Sequence, residues 1–447
     1  MESKVNYRLV HPAFALSVAA IILMYCPFPQ DDFLRHVRYR DYLPYGGYAC
    51  MYPDSFFASA SISKCNPWFG FDYVTGLIKN MIGKINTVIL YETVFGVLFY
   101  LAVLVNIGRK STEEKEVFYS ILATLIVITP TMFRIFFIRP ASLMCILFFF
   151  ALRGKRFLTG FLSSIFMAFF YYLFPFYTII LAVAHYLKGS KRFCAGLATG
   201  TVLSVAAWIT LTDTEYLKVI MRLYYEITQS RDTIASENRI PIMMISEIGI
   251  FLIFAVFIFS YASKKEYDIY LVAALLTLPL ALQTRYFVDL TVPLMGIYGA
   301  RHNQFKDIIR GSAPLKIVSM FAVLLLIQPS VKLTTQAGYA HLIKGLNIPA
   351  GSTVYCDSQQ LGMASVFWNE NPIRVIPSPA SGWNSEETRK IMESYRKNKK
   401  IEQWFCDYAR SKGINYLLSL RTVEADCVRR IKTFYDGRMR VDLWQVQ

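Results

Sequence analysis

Long uninterrupted apolar stretches restrict this chain more than any other feature. FLIFAVFIFSYA, residues 251 to 262, is apolar on every face rather than along one stripe. Runs of roughly 15 to 20 such residues recur as far as residue 330, which is the length of a membrane-crossing helix. A helix that is hydrophobic all round has to be covered, by a large core or by lipid. Only 17% of the residues are charged and 55% are hydrophobic, whereas ordinary globular domains carry about 25% charge. The pattern predicts a polytopic α-helical membrane protein with about eleven spans: residues 10–28, 85–107, 116–133, 140–152, 157–173, 175–187, 193–211, 242–262, 268–283, 286–300 and 314–330. The pairs flanking Pro175 and Arg285 could each be one broken helix. The first run, FALSVAAIILMYCPF, lacks a small-residue cleavage site and reads as a retained helix, not a signal peptide.

Charge sets the expected orientation. The connecting segments GRKSTEEKE, RGKR, KGSKR, SKKEYD and RHNQFKDIIRG are mostly rich in Lys and Arg, so the positive-inside rule puts them and the N-terminus in the cytoplasm. The net charge of +16 is then a topology signal and a match to anionic membrane lipids. No nucleic-acid partner is expected, because the basic residues are dispersed over many loops. Residues 29–84, 212–241 and the tail from about 331 are left outside. The expected organisation is a transmembrane domain, 1–330, with a first outer loop, 29–84, and a C-terminal extracytoplasmic α/β domain, 331–447. In that tail STVYCD, IRVIPSP, INYLLSL and MRVDLWQV read as strands, and SEETRKIMESYRKNKKIEQWFCDYARSK as helical segments.

Polar residues gather at the expected outer boundary. QDDFLRH puts Asp31 and Asp32 beside Arg35 and His36 directly after the first apolar run. On a helix Asp32, Arg35 and His36 share a face and Asp31 reaches Arg35 at i+4. A plainer reading makes the two acids a helix cap. The loop continues with aromatic residues interspersed with acids, among them Asp54, Trp68 and Asp72. Such a surface could stack on sugar rings while carboxylates meet hydroxyls, or it could be an interfacial aromatic belt. PTMFRIFFIRP adds Arg134 and Arg139, LQTRYFVDLTVP adds Arg285 and Tyr286, and YYEITQSRDTIASENRIP adds Glu237 and Arg239. Arginine forks suit phosphate groups, although snorkelling to headgroups is the bland alternative. These residues together suggest a lipid-linked phosphate held by arginine, with an Asp as general base and fixed cations stabilising the leaving phosphate. Of the eight cysteines, Cys50 and Cys65 share the first loop and could pair in an oxidising exterior, as could Cys406 and Cys427 in the tail. Separate buried thiols are the alternative.

On QDDFLRH, the loop stretches YPDSF and NPWFGFD, the late arginine of QTRYFVDLTVP and a tail opening on STVYCD, the chain resembles the GT-C class of multi-spanning glycosyltransferases. The resemblance implies sugar transfer from a polyprenyl-phosphate donor to a glycan, lipid or protein acceptor on the extracytoplasmic face of the cell membrane. It makes Asp31 or Asp32 the catalytic base and puts Arg285 at the donor phosphate, with Arg134 and Arg139 nearby. Arg35, His36, Asp54, Trp68, Asp72, Glu237, Arg239 and Tyr286 are the expected substrate-binding set. The chain departs from metal-using members at FRIFFIR, where two arginines stand in place of an acidic pair. No cofactor and no metal site are therefore expected. The rival readings are a polysaccharide polymerase or ligase using lipid-linked repeats, and a transporter of such substrates.

Overall fold

The computed structural model describes residues 33–55, 65–108, 139–221, 268–301, 342–378, 384–398 and 400–447, apart from Thr284 and Arg438 and with a few isolated positions besides. In chain order the first helices are α1 (Phe33–Tyr42), α2 (Tyr48–Met51), α3 (Phe69–Ile82), α4 (Lys84–Ile107) and α5 (Pro140–Ala151). They are followed by α6 (Phe157–Phe170), α7 (Phe174–Leu187), α8 (Lys191–Leu211), α9 (Ile269–Gln283) and α10 (Arg285–Arg301). The described residues fall into two compact units. One lies within Met1–Pro27, Ile89–Thr210 and Ser236–Thr334, the other within Phe28–Val88, Leu211–Ala235 and Thr335–Gln447.

The first unit is helical, and local sequence fixes where its helices begin and end. Pro140 opens α5 behind an extended Arg139, a position where its missing N–H is no loss. At the start of α6 the Arg156 N–H donates to Thr159 Oγ1 at 3.3 Å, and the Thr159 hydroxyl donates to the Arg156 carbonyl at 2.8 Å. The chain turns through Tyr171 to Leu173, and Pro175 then sits in the first turn of α7. Polar side chains tie the apolar helices together. The Asn106 amide donates to the carbonyls of Ala102 and Phe149, both at 2.7 Å, and accepts from the Tyr270 hydroxyl at 2.7 Å. Thr291 donates to Thr277 at 2.8 Å between α10 and α9.

The expectation of an eleven-span, GT-C-like chain is corrected here. Among the described residues two helices, α4 and α8, are long and apolar enough to cross a membrane. Pro140–Ala151, Phe157–Phe170, Phe174–Leu187 and Ile269–Leu280 are apolar but shorter. Helices α5, α6 and α7 hold 12, 14 and 14 residues, about 18 to 21 Å at 1.5 Å per residue. A hydrocarbon layer of about 30 Å asks for roughly 20 residues. The expected bounds 140–152, 157–173 and 175–187 lie within three residues of these helices, so the error was to count elements this short as spans. The expected spans at 10–28, 116–133, 242–262 and 314–330 lie wholly or mostly outside the described residues.

The second unit is an α/β assembly. Its elements are β1 (Thr353–Cys356), α11 (Gln359–Trp368), β2 (Arg374–Ile376), α12 (Glu386–Asn398), β3 (Lys400–Ile401), α13 (Trp404–Lys412), β4 (Tyr416–Ser419), β5 (Thr422–Val423), β6 (Val428–Tyr435) and β7 (Arg440–Val446). The five-stranded sheet runs β2-β1-β4-β7-β6, with β1 parallel to both β2 and β4, and β7 antiparallel to β4 and β6. Strands β3 and β5 pair separately. Tyr355, Ile376 and Leu417 of the sheet pack with Phe405, Tyr408 and Ala409 of α13 in a closed apolar core. Ser358 caps α11 by accepting from the Leu361 N–H. Gly413, at φ 61°, ends α13 in the left-handed region where a Cβ is disfavoured. A disulfide joins Cys406 of α13 to Cys427, the residue before β6.

Residues 33–88 belong to this same unit, and the contacts are specific. The Tyr42 hydroxyl donates to the Ile373 carbonyl at 3.0 Å and accepts from its N–H at 2.9 Å, so one side chain stands in for a strand partner at the start of β2. Arg38 donates to the Glu370 carbonyl at 2.8 Å, and Lys84 pairs with the Glu370 carboxylate at 2.7 Å. Asp54 accepts from Ser385 Oγ at 2.7 Å and from Lys412 Nζ at 2.9 Å. Burial works against the charge on Asp54, yet hydrogen bonds from the Thr388 and Ser385 hydroxyls and from Lys412 overcome it and hold the carboxyl below its usual range. A lowered folded pKa means that the stabilisation is complete above the unfolded value near 4 and is lost as pH falls through the folded one. Denaturant midpoints measured against pH should therefore decline below about pH 4, and Asp54→Asn should flatten that acid limb. A limb of unchanged steepness in the variant would rule out Asp54 as its source.

Candidate functional site

Helix α1, FLRHVRYRDY, is polar on average but buries eight of its ten residues, including Arg35, His36 and Arg38. Burying charged and polar groups is tolerated only with partners in place, so the partners identify the site. His36 is fully buried, and its Nδ1 is hydrogen-bonded to Asp72 Oδ1, which is also fully buried. Asp72 comes from the first turn of α3. The Tyr48 hydroxyl donates to the same carboxylate, 3.2 Å from Oδ1 and 3.1 Å from Oδ2, and lies 3.1 Å from His36 Nδ1. Asn66 Nδ2 donates to Asp72 Oδ2 at 2.7 Å, while its Oδ1 accepts the Trp68 N–H at 2.9 Å. One carboxylate thus collects imidazole, phenol and amide donors.

Arg35, one residue before His36, lies over the Trp68 ring at 4.3 Å and against Tyr48 at 5.1 Å. Both distances are within cation–π range. The His36 ring is boxed edge-on by Phe71 at 5.1 Å and Trp68 at 5.5 Å. Two glycine features deliver these groups. The turn at Gly46 and Gly47, with φ of 101° and 63°, reverses the chain so that Tyr48 returns onto α1. A Cβ on Gly47 would meet the Tyr39 ring and hydroxyl at 2.9 to 3.2 Å. At the α1–α3 crossing a Cβ on Gly76 would stand 2.6 Å from the Arg40 Cβ, so only glycine lets α3 come close enough to present Asp72. Burial first, then the charge of Asp72, pushes the Tyr48 phenol well above its usual value, which keeps it a donor.

With Nδ1 donating to Asp72, the imidazole carries its lone pair on Nε2. The arrangement can therefore hold a histidine in one tautomer, stabilise its protonated form and keep a guanidinium beside it. These are the parts of an acid–base centre with an anion-binding group.

Of the expected site residues, Arg35, His36, Trp68 and Asp72 come together here. Asp54 does not; it is engaged with Ser385 and Lys412. Arg139 is the N-cap residue of α5, and Arg285 and Tyr286 begin α10; all three belong to the first unit. Asp31, Asp32, Arg134, Glu237 and Arg239 lie outside the described residues. Tyr48 and Asn66 were not foreseen. The glycine pair before Tyr48 and the Asn-Pro start before α3 were the available signals, but neither identifies a carboxylate partner. Of the two readings left open for Cys50 and Cys65, the structure has the unpaired one: both are free thiols. Cys65 is buried, its N–H donates to Glu215 Oε2 at 3.0 Å, and burial together with that carboxylate pushes its thiol up to about 12.

No family model matches this chain, and no curated protein matches it. With that result and two candidate spans among the described residues, the GT-C resemblance is withdrawn. So are the polyprenyl-phosphate donor, the sugar acceptor, the membrane-lipid partners and the multi-pass cell-membrane placement that it implied. The polymerase, ligase and transporter alternatives rested on the same topology and are withdrawn with it.

Proposed function

We propose that this centre is an acid–base site acting on a small anionic substrate, a carboxylate or a phosphate. The observation that supports it is the fully buried Asp72 carboxylate, hydrogen-bonded at once to His36, Tyr48 and Asn66. Well-packed apolar residues generally serve stability as well as or better than a buried ionic cluster. Ionisable groups concentrated in this way are enriched at functional sites. In this reading His36 Nε2 takes up or returns the proton, and Asp72 orients the ring and stabilises its charged form. Arg35, held flat by Trp68 and Tyr48, neutralises the anion with its planar fork.

The test uses the full chain labelled with ¹⁵N-histidine. Five histidines are present, and His36→Gln identifies the His36 signals by their disappearance. Titration with phosphate or acetate should shift the Nε2 resonance saturably, chloride should not, and Arg35→Gln should remove the response. A His36 signal indifferent to all three anions would sink the proposal.

A further inference from the structure

A second feature of the same unit lies on the sheet rather than at the acid–base centre. Strand β6 is at the end of the strand order, and among the described residues no strand pairs with its outer side. Arg429 to Thr433 are all exposed, and Phe434 is the buried residue of the strand. Ile431 and Tyr435 are 47% and 67% exposed, which is unusual for large hydrophobic groups on a strand that already has one partner. From Val428 to Val446 the sequence carries five basic residues and two acids. One of those acids, Asp442, is taken up by Arg440 at 2.8 Å and approached by Arg430 at 4.0 Å. Among the described residues Arg429 and Lys432 take part in no ion pair; the Lys432 ammonium donates to the Gly345 carbonyl at 3.4 Å and lies 4.7 Å from the Phe434 ring.

We propose that the outer edge of β6 docks an extended acidic segment of another polypeptide by strand addition. An open edge offers a row of backbone donors and acceptors, which a polypeptide strand complements. The basic side chains oppose a second copy of this chain, since two β6 edges would set like charges against each other. The same charges select an acidic partner. The register shift between Arg430 and Lys432 interrupts the edge. The docked run is therefore Lys432 to Tyr435, with Arg429 meeting the next acid beyond the bulge. Ile431 and Tyr435 supply apolar contacts for alternate side chains of the partner.

The experiment is fluorescence anisotropy of the full chain with a fluorescein-labelled ten-residue peptide of alternating Glu and Val. Binding should be saturable, weaken as salt is raised, and fall at least tenfold in the double variant Arg429→Glu/Lys432→Glu. Lys390→Glu reverses an exposed charge on α12 and should bind like the parent. The same peptide N-methylated at alternate residues cannot complete a ladder and should bind poorly. Equal binding of the N-methylated peptide, or full retention by the double variant, overturns the proposal. So does displacement of the peptide by poly(U) RNA or phosphatidylserine vesicles at lower concentration than by unlabelled peptide. Both replaced residues are exposed, although Lys432 also donates to the Gly345 carbonyl at 3.4 Å, and Arg429→Gln/Lys432→Gln provides a milder pair should the charge reversal disturb the hairpin.

Discussion

Asp72→Ala is expected to lower the unfolding free energy of its unit by about 3 to 5 kcal/mol, the usual loss when one partner of a buried charged pair is removed. The carboxylate is fully buried and accepts from three side chains on three different segments: His36 of α1, Tyr48 of α2 and Asn66 ahead of α3. Alanine leaves each of those donors in a dry site without its acceptor, and each such orphan costs about 1 to 3 kcal/mol. Partial rearrangement keeps the total below the sum. Asp72→Asn retains one acceptor oxygen but sets an amide N–H₂ against a donor, so about half the loss is expected. Urea unfolding followed by tryptophan fluorescence, with Trp68 next to the site, measures both. An alanine variant as stable as the parent would mean that water or neighbouring groups replace the carboxylate, and the buried cluster would lose its significance. Where Asp72→Asn remains folded, its His36 signal should no longer respond to phosphate, because the tautomer is no longer enforced.

How far the sequence reveals this molecule differs between its parts. Strand β1 falls within STVYCD, where Thr, Val and Tyr follow one another, and β7 falls within MRVDLWQV, where Arg440, Asp442 and Gln445 interrupt the apolar residues. Helix α12 begins where Ser385 and Thr388 announce a cap, and both hydroxyls take part in it. The apolar helices were legible as helices but not as spans. Their bounds were read to within a few residues, with breaks at Pro140 and Pro175, but helices of 12 to 14 residues were counted as spans. In the site, QDDFLRH drew attention to Arg35 and His36 through local spacing. The partner of His36, Asp72, lies 36 residues away and had no local signature beyond an acid in an aromatic loop. Tyr42 and Ile373 meet across 331 residues, and nothing in either segment announces the other. Long-range pairing of this kind is a property of the packed unit, so a single sequence does not disclose it.

Gly196→Ala provides the second large effect, in the helical unit. A Cβ built on Gly196 would stand 2.0 Å from the Phe157 carbonyl oxygen and 2.9 Å from the Phe161 nitrogen. Those are backbone atoms, so no rotamer change can relieve the clash. Gly160 faces the same crossing, with its Cβ position 2.3 Å from the Phe193 carbonyl oxygen. Helices α6 and α8 therefore touch through main chain, and the 3.0 Å hydrogen bond between Ser164 and Thr201 depends on that approach. Alanine must force the axes apart, and overpacking of this kind costs about 3 kcal/mol at its upper range. Replacing a helical glycine by alanine returns up to about 1 kcal/mol through propensity, leaving a net loss near 2 kcal/mol. Thermal unfolding should show it as a lowered Tm, while Val202→Ala on the exposed side of α8, where the residue is 68% exposed, should shift Tm little. Because Gly160 and Gly196 share one contact, the double alanine variant should lose less than the sum of the two single losses. Simple additivity would mean that the two glycines serve separate contacts rather than one crossing.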